Sequence, residues 1–169
     1  MSPQVHDLPA ISLLRRHRDD GAYTDCYATE APGRVGLADF VEAFYTTRLF
    51  KLERLILRVA AQKPSTDADA RQLAQGAAGT FAAWRVEDRD ASQLLLGDFT
   101  GRTKSWLMVE PSPAGTRLYF GSAVLPVMDR QTGERRMGAT FRALLGFHRL
   151  YSRLLLAAAR RKLLSARPA

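Results

Sequence analysis

An α+β fold, with a curved antiparallel sheet wrapped around a long C-terminal helix, is predicted by three features of this 169-residue sequence. Four strand-like segments follow one another between residues 80 and 128, with only short turns between them. One strand-like segment and two runs of helical periodicity precede them. Behind them comes FRALLGFHRLYSRLLLAAARRKLL, apolar around much of its circumference. Short connections impose antiparallel neighbours, because a parallel pair needs a long crossover.

The elements can be justified in order. Residues 1–20 are of mixed polarity and read as a loosely docked N-terminal arm. The ordered domain is expected over 21–165 as a single unit, with 166–169 as a tail. AYTDCYATE is rich in β-formers and sets Tyr23, Asp25 and Tyr27 on one face, with Thr24, Cys26 and Ala28 on the other. Leu37, Phe40, Val41 and Phe44 then recur at helical spacing, and Leu52, Leu55, Ile56 and Val59 repeat the pattern. Tyr45-Thr46-Thr47 lies between these runs. β-Branched side chains lose rotamer freedom in a helix, so two helices with a bend are expected. After Pro64, Ser65 or Thr66 can cap a further short helix. Asp67 and Asp69 suit its positive end, and Gly76 can close it.

The next segments are TFAAWRVED, SQLLLGDFT, TKSWLMVEP and GTRLYFGSAVLPVM, separated by the turn signals DRDA, TGR and PSPAG. The polar stretch DRQTGERRMG leads into the terminal helix. This order is the helix-grip arrangement, in which sheet and helix enclose a space between them.

Composition narrows the function classes. A hydrophobic fraction of 46% marks a folded chain, and 169 residues suffice for one substantial core. Cys26 is the only cysteine, which excludes an intramolecular disulfide and a thiolate-rich zinc site. Only three histidines exist, and His6 and His17 fall in the arm, so no metal or other cofactor is expected. The apolar run LPAISLL is too short for a signal peptide, and no stretch reaches the roughly 20 apolar residues of a membrane span. A soluble, cytoplasmic protein is expected.

Charge is distributed unevenly. The chain carries 25 basic and 17 acidic residues, yet its last 33 residues hold seven basic and no acidic side chains. Arg142, Arg149, Arg153 and Arg160 fall in one stripe, each within about 20° of Arg142 at 100° per residue. One reading is a solvated back on a core helix. The other is contact with an anionic membrane or a partner through Arg153, Arg160, Arg161 and Lys162. Nucleic acid is disfavoured, since no stacking platform or groove-reading motif accompanies the charge.

The segment from Trp84 to Leu156 resembles an uncharacterised bacterial family of START-like, polyketide-cyclase-like domains, sometimes fused to short-chain-dehydrogenase-like domains. The matching features are WRVE at 84–87, LLL at 94–96, SWLMVE at 105–110, GTRLYF at 115–120 and FHRLYSRLLL at 147–156. The resemblance implies a helix-grip fold and a pocket for a hydrophobic or amphipathic small molecule. It implies no reaction, because that scaffold serves carriers and enzymes alike.

The candidate ligand-binding residues are Trp84, Trp106, Phe120, His148 and Tyr151. Trp84 shares a strand face with Val86, and Trp106 with Met108, so the two indoles are candidates for one aromatic wall. His148 and Tyr151 are three residues apart on one helix face, with Ser152 four residues from His148. Three functions follow: an apolar or amphipathic ligand carrier, a cyclase- or hydratase-type enzyme using His148 with a tyrosine and Asp25, and an interaction module docking through the basic helix. Core packing explains the same tryptophans and histidine without any ligand. No nucleophile elbow, phosphate-binding glycine loop or paired-carboxylate motif is present.

Overall fold

A computed structural model describes residues 2–52, 54, 64–128, 135–136 and 139–166, with the backbone alone considered at 127–128, 135–136 and 139–144. The chain has the α+β helix-grip architecture: a curved antiparallel sheet with a long C-terminal helix laid against it. The strands are β1 (Gln4–Val5), β2 (Tyr23–Ala31), β3 (Thr80–Phe81), β4 (Trp84–Arg89), β5 (Gln93–Asp98), β6 (Thr103–Ser112) and β7 (Gly115–Val124), in spatial order β1-β2-β7-β6-β5-β4-β3. A separate two-stranded ribbon joins β8 (Val127–Met128) to β9 (Arg135–Arg136). Beside them lie helices α1 (Arg15–Asp19), α2 (Leu37–Tyr45), α3 (residues 48–52 and 54), α4 (Asp67–Ala74) and α5 (Ala139–Ser165).

Local sequence chemistry sets most of the boundaries. The hydroxyl of Thr46 turns back to the Glu42 carbonyl and that of Thr47 to the Phe44 carbonyl, while Thr47 also accepts from Phe50 N–H at 3.1 Å. Those bonds end α2 and start α3, as the Tyr45-Thr46-Thr47 sequence predicts. Thr66 caps α4 in a reciprocal capping box with Asp69, and Gly76 follows with φ of 76°. In the β5–β6 turn, Asp98 accepts the backbone N–H groups of Arg102 and Thr103 at 2.8 and 3.1 Å.

Alternation along the strands builds two cores. On the concave face, Tyr27, Leu94, Leu96, Leu107, Leu118 and Phe120 pack with Phe40, Phe44, Tyr45 and Phe50, and with Leu155, Leu156 and Ala159 of α5. On the convex face, Cys26, Leu95, Trp106, Met108 and Tyr119 pack beneath Leu8 and Leu14.

That second core corrects the expectation of a loose arm. Leu14 is fully buried, β1 pairs with β2, and Gln93 clasps the arm by accepting from Leu13 N–H and donating to the Ile11 carbonyl. A sheet with apolar side chains on both faces must be covered on both, and the arm supplies the second cover. The last strand also differs from the expected GTRLYFGSAVLPVM. It stops at Val124, and Val127–Met128 pair instead with Arg135–Arg136 inside the polar stretch.

Candidate functional site

The register of β2, β7 and β6 creates a polar row on the otherwise apolar concave face. Asp25 lies opposite Ser122, and Ser122 opposite Ser105. These positions alternate with Cys26, Gly121 and Trp106, which belong to the convex side. The next residues along the row are Leu96 and Val86, so the polarity is confined to one flank. Tyr45 of α2 reaches Ser105, hydroxyl to hydroxyl, at 3.1 Å.

Helix α5 closes over this row with His148. Its Nε2 lies 2.8 Å from Ser122 Oγ and 3.2 Å from Asp25 Oδ2. Ser122 donates both its hydroxyl and its backbone N–H to Asp25 Oδ1, at 2.7 and 3.1 Å. The serine proton is thus committed to the carboxylate, and His148 Nε2 must be the donor. Because serine donates to aspartate and not to histidine, the trio is not a serine-nucleophile triad. Nδ1 of His148 makes no hydrogen bond to any described residue, and the side chain keeps 26% of its surface exposed. An imidazole with its Nε2 proton fixed by Asp25 presents Nδ1 as an acceptor or base.

Tyrosines extend the polar group. The Tyr27 hydroxyl donates to Asp25 Oδ2 at 3.5 Å, and Arg149 Nε donates to Tyr23 Oη at 3.3 Å. Burial, with the Asp25 charge adding to it, raises the Tyr27 hydroxyl well above the usual phenol range, so it stays a proton donor. A groove of about 480 Å³ opens at the sheet edge beside the cluster, where Asp25, Tyr27 and Arg149 meet His6, Leu8 and Cys26; His148 and Ser152 do not line it. That volume lies in the range of small-molecule sites.

Among the described residues, five buried side-chain atoms lack a hydrogen-bond partner: His17 Nε2, Arg54 Nε, Ser65 Oγ, Trp84 Nε1 and Ser152 Oγ; the last two bear on the concave face. Ser152 follows His148 by one turn of α5, is 1% exposed, and its Oγ meets no donor or acceptor. Trp84 packs partly buried against the concave core, with its Nε1 equally unpartnered. An unsatisfied buried hydroxyl costs about 1–3 kcal/mol, so such atoms need an explanation.

The other sequence-selected residues scatter. Phe120 is in the concave core, 4.7 Å from the Phe44 ring between centroids, and Tyr151 packs against that core while stacking on Phe147. Trp106 is a correction. It is fully buried in the convex core and donates Nε1–H to Gln93 at 2.9 Å, so it shares no wall with Trp84. Cys26 is buried there too, and burial pushes its thiol up to about 12, which removes it as a nucleophile.

The basic residues are likewise divided. Arg160 donates Nε–H to the Glu30 carbonyl at 2.6 Å, and Lys162 donates to the Thr46 carbonyl at 3.0 Å. Both therefore clamp α5 onto the body of the protein and do not form an outward docking surface. Arg153 is exposed but holds the Pro3 carbonyl at 3.3 Å, and Arg161 is exposed. The acids near the end of β4 divide: Asp88 pairs with Arg16 of the arm at 3.0 Å, while Glu87 pairs with buried Lys104 of β6 at 2.5 Å.

Among the described residues, no group of three His, Cys, Asp or Glu side chains is placed to hold a metal ion. No helix among them is long and apolar enough to cross a membrane. No family model, curated protein or solved structure matches the chain.

Proposed function

We propose that this protein binds a hydrophobic or amphipathic small molecule between the sheet and α5, with the ligand's polar group held at His148. The observation that carries the reading is Ser152, a buried hydroxyl without a partner among the described residues, one turn from His148, whose Nδ1 bonds to none of them either. A ligand oxygen or hydroxyl at that point would satisfy both atoms, while the aromatic concave face would take the apolar part. The unpartnered Trp84 Nε1 and the START-like resemblance of residues 84–156 point the same way. A cytoplasmic setting belongs to this reading, and the single cysteine is compatible with a reducing compartment.

Native mass spectrometry of the intact protein tests it, together with titration of an amphipathic fluorophore such as anilinonaphthalene sulfonate. A retained adduct, or probe binding weakened by His148→Ala and by Ser152→Ala, is expected. The mass of the bare chain, with probe binding absent or unchanged in both variants, would overturn it.

A second reading, proton transfer by His148, is favoured specifically by the Asp25 contact that fixes the imidazole. It predicts deuterium exchange at the α-carbon of a long-chain ketone, abolished by His148→Ala and slowed by Asp25→Asn. Exchange at the rate of buffer alone would remove it.

A further inference from the structure

Helix α5 is apolar on two sides, and only one of them is used by the core. Its inner side carries His148, Ser152, Leu155, Leu156, Ala159 and Leu163. Its outer side carries Phe147, Leu150 and Leu154, which are 66%, 58% and 45% exposed. At 100° per residue these three fall within about 60° of one another. They are three of the seven large hydrophobics exposed among the described residues, so they form a patch and not the usual scatter. Val5, 77% exposed, belongs to the arm segment that Arg153 holds through Pro3.

We infer that this outer face docks onto an anionic lipid surface. The argument is charge complementarity. At 100° per residue exposed Arg161 falls between Leu150 and Leu154, exposed Arg153 lies about 60° from Leu150, and the last 33 residues contain no acidic side chain. A helix that presents phenylalanine and leucine between cations matches a membrane interface, where rings and branched chains enter the acyl boundary and guanidinium groups meet phosphates. A second copy of the chain is the poorer occupant, because an isologous contact would set one acid-free basic helix against another. The inference stands apart from the ligand reading, since Phe147, Leu150, Leu154 and Arg161 lie off the His148 face of the helix.

Vesicle flotation of the full chain is the test. Binding to phosphatidylcholine vesicles containing phosphatidylserine is expected, weakening as salt rises. Arg161→Glu should weaken it at least about fivefold, at roughly 1 kcal/mol per basic residue near the surface. The double variant Phe147→Ser/Leu150→Ser should abolish it with an unchanged urea midpoint. Equal binding to pure phosphatidylcholine, or no binding to either, would overturn the proposal. So would a concentration-dependent dimer that the double variant dissolves while vesicles are ignored.

Discussion

The ammonium of Lys162 on α5 lies 3.0 Å from the carbonyl oxygen of Thr46, the residue that ends α2. A cation there meets the negative pole of α2 and satisfies a carbonyl that helix geometry leaves free. Burial lowers the Lys162 pKa, so the charge is held in place by these acceptors at some desolvation cost. Lys162→Met should therefore destabilise the protein by about 1–2 kcal/mol in urea. Its exposed neighbour gives the contrast: Arg161→Ala should stay within about 0.5 kcal/mol. Equal effects would mean that Lys162 is another solvated cation.

The arm makes a prediction of its own. Leu14 is 0% exposed within the convex core, whereas Ile11 is 66% exposed three residues earlier. Leu14→Ala should cost about 2–4 kcal/mol, the range for an aliphatic truncation in a packed core. Ile11→Ala should change stability by no more than about 0.5 kcal/mol. A loosely docked arm would make the two indistinguishable in chemical denaturation.

Within the arm, His17 has a pH signature. Its ring is mostly buried, and its pKa is lowered from 6.5 by burial first, then by Lys104 and Arg16, against opposing pulls from Glu87 and Asp20. The native state thus prefers neutral His17, while the unfolded chain takes up the proton near 6.5. Stability is full above that value and is lost as pH falls below it, by less than about 1.4 kcal/mol per pH unit for one proton. The urea midpoint should drop between about pH 7.5 and 5.5, before carboxylates titrate appreciably. His17→Gln should flatten that drop, and parallel curves for the two proteins would assign it elsewhere.

Element order from β2 to β7 was legible where an element carries its own signal: the Thr46-Thr47 break, the Thr66–Asp69 cap, the turns between strands; β1, α1 and the β8–β9 ribbon were not read. Relations between elements were not. Within their own strands, Trp84 and Trp106 were assigned the right companions, Val86 and Met108. Which face each strand shows depends on register through β5, and Leu94-Leu95-Leu96 is apolar on both faces, so its alternation carries no phase. Asp25 and Ser122 are 97 residues apart and meet only through the full-length β2–β7 pairing. The spacing of the arginine stripe was equally plain. Its receiving groups were not, because Pro3 and Glu30 offer backbone carbonyls that no residue type announces. Leu8 and Leu14 carried a signal that polarity averaging over the arm obscured.

Ser152 separates a ligand site from a packing defect. Its buried hydroxyl forms no hydrogen bond, so the free protein carries an unmet desolvation cost at that point. Removing the oxygen by Ser152→Ala relieves this cost and leaves only a small void, so the apo protein should gain roughly 0.5–1 kcal/mol. If a ligand's polar group normally completes that hydroxyl, the same change should weaken binding by about tenfold, since the lost bond lies in a dry site. A rise in unfolding midpoint together with a fall in amphipathic-probe affinity is therefore the signature of a binding site that trades stability for function. A stabilised variant with unaltered affinity would leave Ser152 as a flaw in packing and move the ligand's polar contact to His148 and Asp25 alone.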